Sequence, residues 1–189
     1  MSVSQKFTPH KIAAIGMMAA LVFVSSGMRI VIPIGTENAA IHLGNIFCLL
    51  SGFLLGGVSG GLSAGIGSAL YDLTNPLYVA GSPITFITKF IMGYLCGVIS
   101  NRNGQAAQSQ KLNLLAAATG QIAYIILYLF KGFIRDLLNG TTWQAAGIVQ
   151  LTKLPLSLTN AVIAIIFSII LVPVFLFAMK KSGFYRKLH

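Results

Sequence analysis

Lys89 and Asp72 stand inside stretches that are otherwise apolar, and a charge in such a place needs a reason. Burying either one without a partner costs about 2.5–3.5 kcal/mol on membrane-insertion scales. Two compatible chemistries answer that cost. One is a structural Lys89–Asp72 pair; the other is a water-accessible pocket in which one or both hold a polar solute. Further polar and aromatic groups recur at the same level of the chain: Asn38, His42 and Asn45, then Tyr71, Asn75 and Tyr78, then Thr85 one helical turn before Lys89, and finally Trp143, Gln150 and Asn160. Asn and Gln inside apolar sequence demand hydrogen-bond partners. A small aromatic solute with ring nitrogens and hydroxyls would satisfy both the amides and the rings. Taken singly, each aromatic is more commonly explained by an interfacial belt, and His42 is more often a satisfied polar residue than a ligand.

No catalytic constellation accompanies these groups. The only acidic residues, Glu37, Asp72 and Asp136, are far apart in sequence and supply no metal-binding cluster. There is no Gly-rich phosphate loop ending in Lys-Ser/Thr, no His-Glu-x-x-His and no Gly-x-Ser-x-Gly elbow, so neither ATP nor a cofactor is expected. Cys48 and Cys96 fall inside apolar segments and read as small buried hydrophobes, not as a disulfide or a zinc site.

Composition says what must position these residues. Of 189 residues, 13 are Lys or Arg and 3 are Asp or Glu, while 56% are hydrophobic and mean hydropathy is +0.83. A soluble domain carries about 25% charged residues, and a chain this short could not hide so much apolar surface from water. An integral membrane protein remains. The formal net charge of +10 sits mostly at the edges of apolar runs, which fits membrane anchors and not a nucleic-acid face.

The apolar runs and their breaks predict six transmembrane helices in a single all-α membrane domain over 1–189, at about 12–28, 42–55, 58–73, 83–100, 112–138 and 154–179. Lys6 and Lys11 before the first run resemble a signal peptide, and the run is read as an uncleaved first helix. Gly56-Gly57 supplies a tight turn, Thr74-Asn75-Pro76 ends the third helix, and Asn139-Gly140 breaks the fifth. Ser82-Pro83 opens the fourth, with Ser82 as N-cap. Residues 143–151 read as a separate amphipathic segment, and Pro173 as a kink. One side of this topology holds eight Lys and Arg (Lys6, Lys11, Arg102, Lys111, Lys180, Lys181, Arg186, Lys187) and the other four (Arg29, Lys131, Arg135, Lys153). The positive-inside rule then puts both termini in the cytoplasm, with the loops 29–41, 74–82 and 131–153 outside.

Small residues repeat at spacings of four. Gly57, Gly61, Gly65 and Ala69 form one ridge, and Gly52/Gly56 and Gly93/Gly97 are further pairs. Such ridges let helix backbones approach closely and are read as internal packing. The first helix is more open, and its Ala13, Gly16 and Ala20 offer a face on which another protein's helix could dock.

Four stretches in order carry a family likeness: His42-Leu-Gly-Asn45, Leu-Leu-Gly-Gly-Val-Ser-Gly-Gly at 54–61, Gly65-Ile-Gly-Ser-Ala-Leu-Tyr-Asp72, and Pro83-Ile-Thr-Phe-Ile-Thr-Lys89 followed by Met92-Gly93. With them the chain resembles the substrate-binding (S) components of energy-coupling factor (ECF) vitamin transporters, nearest the riboflavin and hydroxymethylpyrimidine group. The resemblance implies a bacterial plasma-membrane protein that binds a vitamin from outside. It implies partners as well: a membrane coupling subunit and two ATPases that drive release inward. In the family a small-x-x-x-small face on the first helix docks the coupling subunit, and Gly16 and Ala20 match it. For the solute, the likeness favours a single-ring compound of the hydroxymethylpyrimidine or pyridoxine type, with riboflavin or another vitamin as the alternative. A small intramembrane enzyme and a self-contained transporter are the alternatives of another class.

Overall fold

The computed structural model describes residues 8–34, 37–76, 78–102, 107–183 and 185, and for 29–42 the backbone alone. Among these residues there are six helices: α1 (Pro9–Gly27), α2 (Gly44–Leu55), α3 (Gly57–Leu73), α4 (Ser82–Ser100), α5 (Gln110–Leu138) and α6 (Trp143–Lys181). Four segments are long and apolar enough to cross a membrane: α1, Val79–Ser100, α5 and α6. α2 has only 12 residues, and all of them but Phe47 are buried. It lies at the centre of the bundle and touches all five other helices. Its Leu49, Leu50, Phe53 and Leu54 pack there with Val22, Met92, Cys96, Ala116 and Ala164. The outward faces carry large apolar residues such as Ile126, Phe130, Ile166 and Phe177, which suit lipid as solvent.

Glycine decides how close α2, α3 and α4 come. A Cβ on Gly52 would lie 2.6 Å from the Gly93 carbonyl oxygen, and one on Gly93 would lie 2.9 Å from that of Gly60. The ridge on α3 serves a different purpose: Gly57, Gly61 and Gly65 seat Tyr94, Phe90 and Phe86 of α4 in turn. Those three rings stack along α4 with centroids 6.1 and 5.9 Å apart. Gly56 turns α2 into α3 with φ +79°, a conformation that costs other residues. At the same end Asn101 closes the helices by donating from Nδ2 to the carbonyls of Gly97, Phe53 and Gly52 at 2.9, 3.3 and 3.4 Å.

Several expectations need correction. The loop between α1 and α2 contains an antiparallel hairpin, β1 (Arg29–Ile34) with β2 (Glu37–His42), paired from Arg29↔His42 to Ile34↔Glu37. β2 lies beside α6 and the end of α1. Ser82 does not cap α4: the helix begins at Ser82 itself, and the hydroxyl donates to the Ala69 carbonyl of α3 at 2.9 Å. The segment 143–151 is not separate, because α6 runs unbroken for 39 residues from a Thr142 cap whose hydroxyl accepts from the Ala145 amide. Pro155 and Pro173 both lie inside that helix. Proline is a poor boundary signal in a membrane helix, where neighbouring helices and hydroxyl side chains compensate for the lost backbone bond. The third outward loop accordingly shrinks to 139–142. At 1.5 Å per residue α6 is about 58 Å long and α5 about 43 Å, so both outrun a hydrocarbon core of about 30 Å.

Candidate functional site

The far end of the bundle is built differently. A cavity of about 200 Å³ opens among the last turns of α1 and α3, the first turns of α2 and α4, and the facing sides of α5 and α6. Among the described residues its wall holds three lysines, Lys89, Lys131 and Lys153, and one carboxylate, Asp72. Four tyrosines line it (Tyr71, Tyr78, Tyr124, Tyr128), with the amides of Asn45 and Asn160 and the hydroxyls of Ser26, Ser68, Thr85, Thr88 and Ser157. Leu156 is the apolar member.

Lys89 is the most enclosed of the cations, with 4% of its surface exposed. Its Nζ donates to Asn45 Oδ1 and stands 3.8 Å from the centroid of the Tyr124 ring. Asn45 is itself buried, so its amide is spent on holding the ammonium in place. The Tyr124 ring continues into Tyr128, one turn on, at 5.9 Å between centroids and 28° between planes. Lys131 Nζ donates to the Gly81 carbonyl and to Thr85 Oγ1, both at 3.3 Å, which ties the end of α5 to the start of α4. Tyr71 meets Phe23 of α1 edge-on at 6.1 Å. Among the described residues no ion pair joins Lys89 to Asp72; Asn45 and Tyr124 take the place expected for Asp72.

Of the residues singled out from sequence, Asn45, Tyr71, Asp72, Tyr78, Thr85, Lys89 and Asn160 come together in this wall. Asn38 and His42 belong to β2, and their side chains lie outside the described residues. Gln150 and Trp143 are not brought to the cavity. Gln150 is buried one turn before Lys153 on α6 and donates from Nε2 to Asp136 Oδ2 at 2.5 Å, and Arg135 pairs with Asp136 at 3.4 Å. Gly132 makes room for that amide, since a Cβ there would lie 2.9 Å from Gln150 Cδ. Trp143 is 71% exposed and rests edge-on against Phe133 at 4.8 Å.

Sequence reasoning missed Tyr124, Tyr128 and Lys131 on α5, and Lys153 and Ser157 on α6. A signal existed. Residues 124, 128 and 131, and again 153, 157 and 160, follow the i, i+4, i+7 spacing of one helix face. Lys131 and Lys153 were read as topology markers in a loop that the structure replaces with helix.

Residues 6–178 match the family described as ECF-type riboflavin transporter, S component. The chain belongs to that family. The fold of this S component is also that of solved relatives. The S component of a bacterial ECF transporter superposes with a TM-score of 0.62 at 19% identity, covering 90% of this chain and 97% of the other. An S component for biotin from an ECF-type ABC transporter, solved at 2.1 Å, gives 0.61 at 20% identity, covering 90% and 94%. No curated protein matches the sequence. At these identities the solved relatives speak for the fold alone. This S component is therefore a multi-pass membrane protein of a transporter family, and its polar cavity is the candidate for solute binding.

Proposed function

We propose that this chain captures a small vitamin or vitamin precursor from outside the cell, in the cavity bounded by Lys89, Asp72 and Asn160, for ATP-driven uptake by an ECF module. The observation that carries the reading is a polar, charged cavity at one end of an S-component fold, far more polar than packing needs. Its size argues for a compact solute. An engineered cavity of about 150 Å³ takes one benzene ring, and about 200 Å³ here leaves room for one ring with substituents. A hydroxymethylpyrimidine or pyridoxine skeleton suits that space better than the three fused rings of a flavin. Stacked Tyr124 and Tyr128 supply a face for such a ring.

Energy would come from a membrane coupling subunit and two ATPases. The docking face assigned to Ala13, Gly16 and Ala20 is exposed on α1, and a Cβ added at Gly16 would meet nothing within 4 Å. Gly16→Leu is thus expected to leave fold and solute binding intact while blocking uptake in cells that also express the module. Normal uptake by that variant would remove the docking assignment. The capture reading itself is tested by mass spectrometry of small molecules that co-purify with the protein, followed by calorimetry. A single vitamin-class compound bound without ATP supports it. Uptake into liposomes by this chain alone would replace it with a self-contained transporter.

A further inference from the structure

We propose that the solute held in this cavity carries an anionic group, a carboxylate or a phosphate, seated between Lys89 and Lys131; this rests on the capture reading above. Lys89 is buried, and among the described residues it touches neutral groups, the Asn45 amide oxygen and the Tyr124 ring. Lys131 likewise donates, among the described residues, to neutral acceptors, the Gly81 carbonyl and the Thr85 hydroxyl, both at a long 3.3 Å. Thr85 links the two, since it lies one turn before Lys89 on α4 and accepts from Lys131. Among the described residues neither ammonium forms an ion pair, and Asp72 is the one carboxylate in the wall. Counting Lys89 and Lys131 against Asp72 among the described residues, the wall has a positive charge in excess.

That imbalance has a chemical reading. An ammonium drawn out of water without a counter-charge is costly, and a solute anion delivered between two of them removes the cost while making charge-assisted hydrogen bonds. The discrimination is steep because a neutral analogue of the same shape leaves the wall's excess positive charge unmatched. Nearby Tyr124 and Tyr128 then face the ring, and Asp72 is placed to accept from an N–H or hydroxyl on the same solute. Within the single-ring class, the acid is therefore the expected ligand in preference to the corresponding alcohol or amide.

Matched pairs of compounds test this. Purified full-length protein in detergent at neutral pH is titrated by calorimetry with nicotinate and nicotinamide, pyridoxal 5′-phosphate and pyridoxine, and hydroxymethylpyrimidine phosphate and hydroxymethylpyrimidine. The expected result is binding of at least one acid, about tenfold or more tighter than its uncharged partner. Lys131→Met and Lys89→Met should each erase that preference, whereas Lys111→Met, at the opposite end of α5, should keep it. Lys89 also contacts the buried Asn45, so the half-buried Lys131, which is less involved in packing, carries the decision. Neutral members binding as tightly as the acids would overturn the anion while leaving solute capture standing. An acid preference that survives Lys131→Met would overturn the seat. Binding of no compound in the panel would overturn the single-ring acid as the ligand, and the capture reading would then rest on what co-purifies with the protein.

Discussion

Where α2 turns into α3, three helix backbones press together through glycine; toward their other ends the same three helices line a cavity with polar and charged side chains. Gly52, Gly60 and Gly93 leave no room for a methyl group at the first place. Asn45, Asp72 and Lys89 border open space at the second. The same α2, α3 and α4 thus combine a tightly packed end with one that keeps polar side chains unfilled by protein. Close packing at one end fixes the helix axes, and that rigidity lets the other end hold a cavity open without collapse.

The contrast can be broken most severely from the packed end. Gly97→Leu places a side chain against the backbone of Gly56 and Gly57. It is expected to cost about 3 kcal/mol or more in stability, read as loss of the monodisperse peak on size exclusion and a lower Tm. A mild effect there would show that glycine contact does not set the helix spacing. Lys89→Met acts at the other end. It is expected to weaken solute binding by about 1.5–3 kcal/mol in calorimetry with a much smaller change in Tm. A variant that melts early but binds normally would reverse the division between the ends.

Gln150→Leu sharpens the comparison by separating the cavity from the polar cluster beside it. It strips the buried Asp136 of its 2.5 Å partner and is expected to cost about 1–2 kcal/mol of stability. Solute affinity should stay within about twofold, and a larger loss would return Gln150 to the binding site. The smallest effect is expected from Phe90→Leu, which interrupts the aromatic stack seated on Gly61. About 0.5–1.5 kcal/mol of stability should be lost, visible as a modest shift in Tm.

The glycine end was legible before any coordinates. Spacing of four at Gly57, Gly61 and Gly65 marked a packing face, although the chain alone did not say that Phe86, Phe90 and Tyr94 would fill it. The cavity was legible in part. Lys89, Asp72 and Asn45 stood out because a polar group inside an apolar run is conspicuous. Lys131 and Lys153 did not, because they fell near the ends of runs, where lysine ordinarily faces water. Gln150 drew attention for the same reason as Asn160, yet about three turns of α6 separate the amide that satisfies Asp136 from the one that borders the cavity.

Membrane residence, the number of helices and the turn at Gly56 were fixed by the order of residues alone. Each is a property of a segment against its solvent or of one residue's backbone, so neighbours distant in the chain are not needed to read it. Which lysines share a cavity, and that α6 begins at Trp143 and carries two prolines through its length, came only from the assembled helices. Those facts depend on how each helix is rotated and how far it extends past its neighbours, and that is settled by contacts among all six at once.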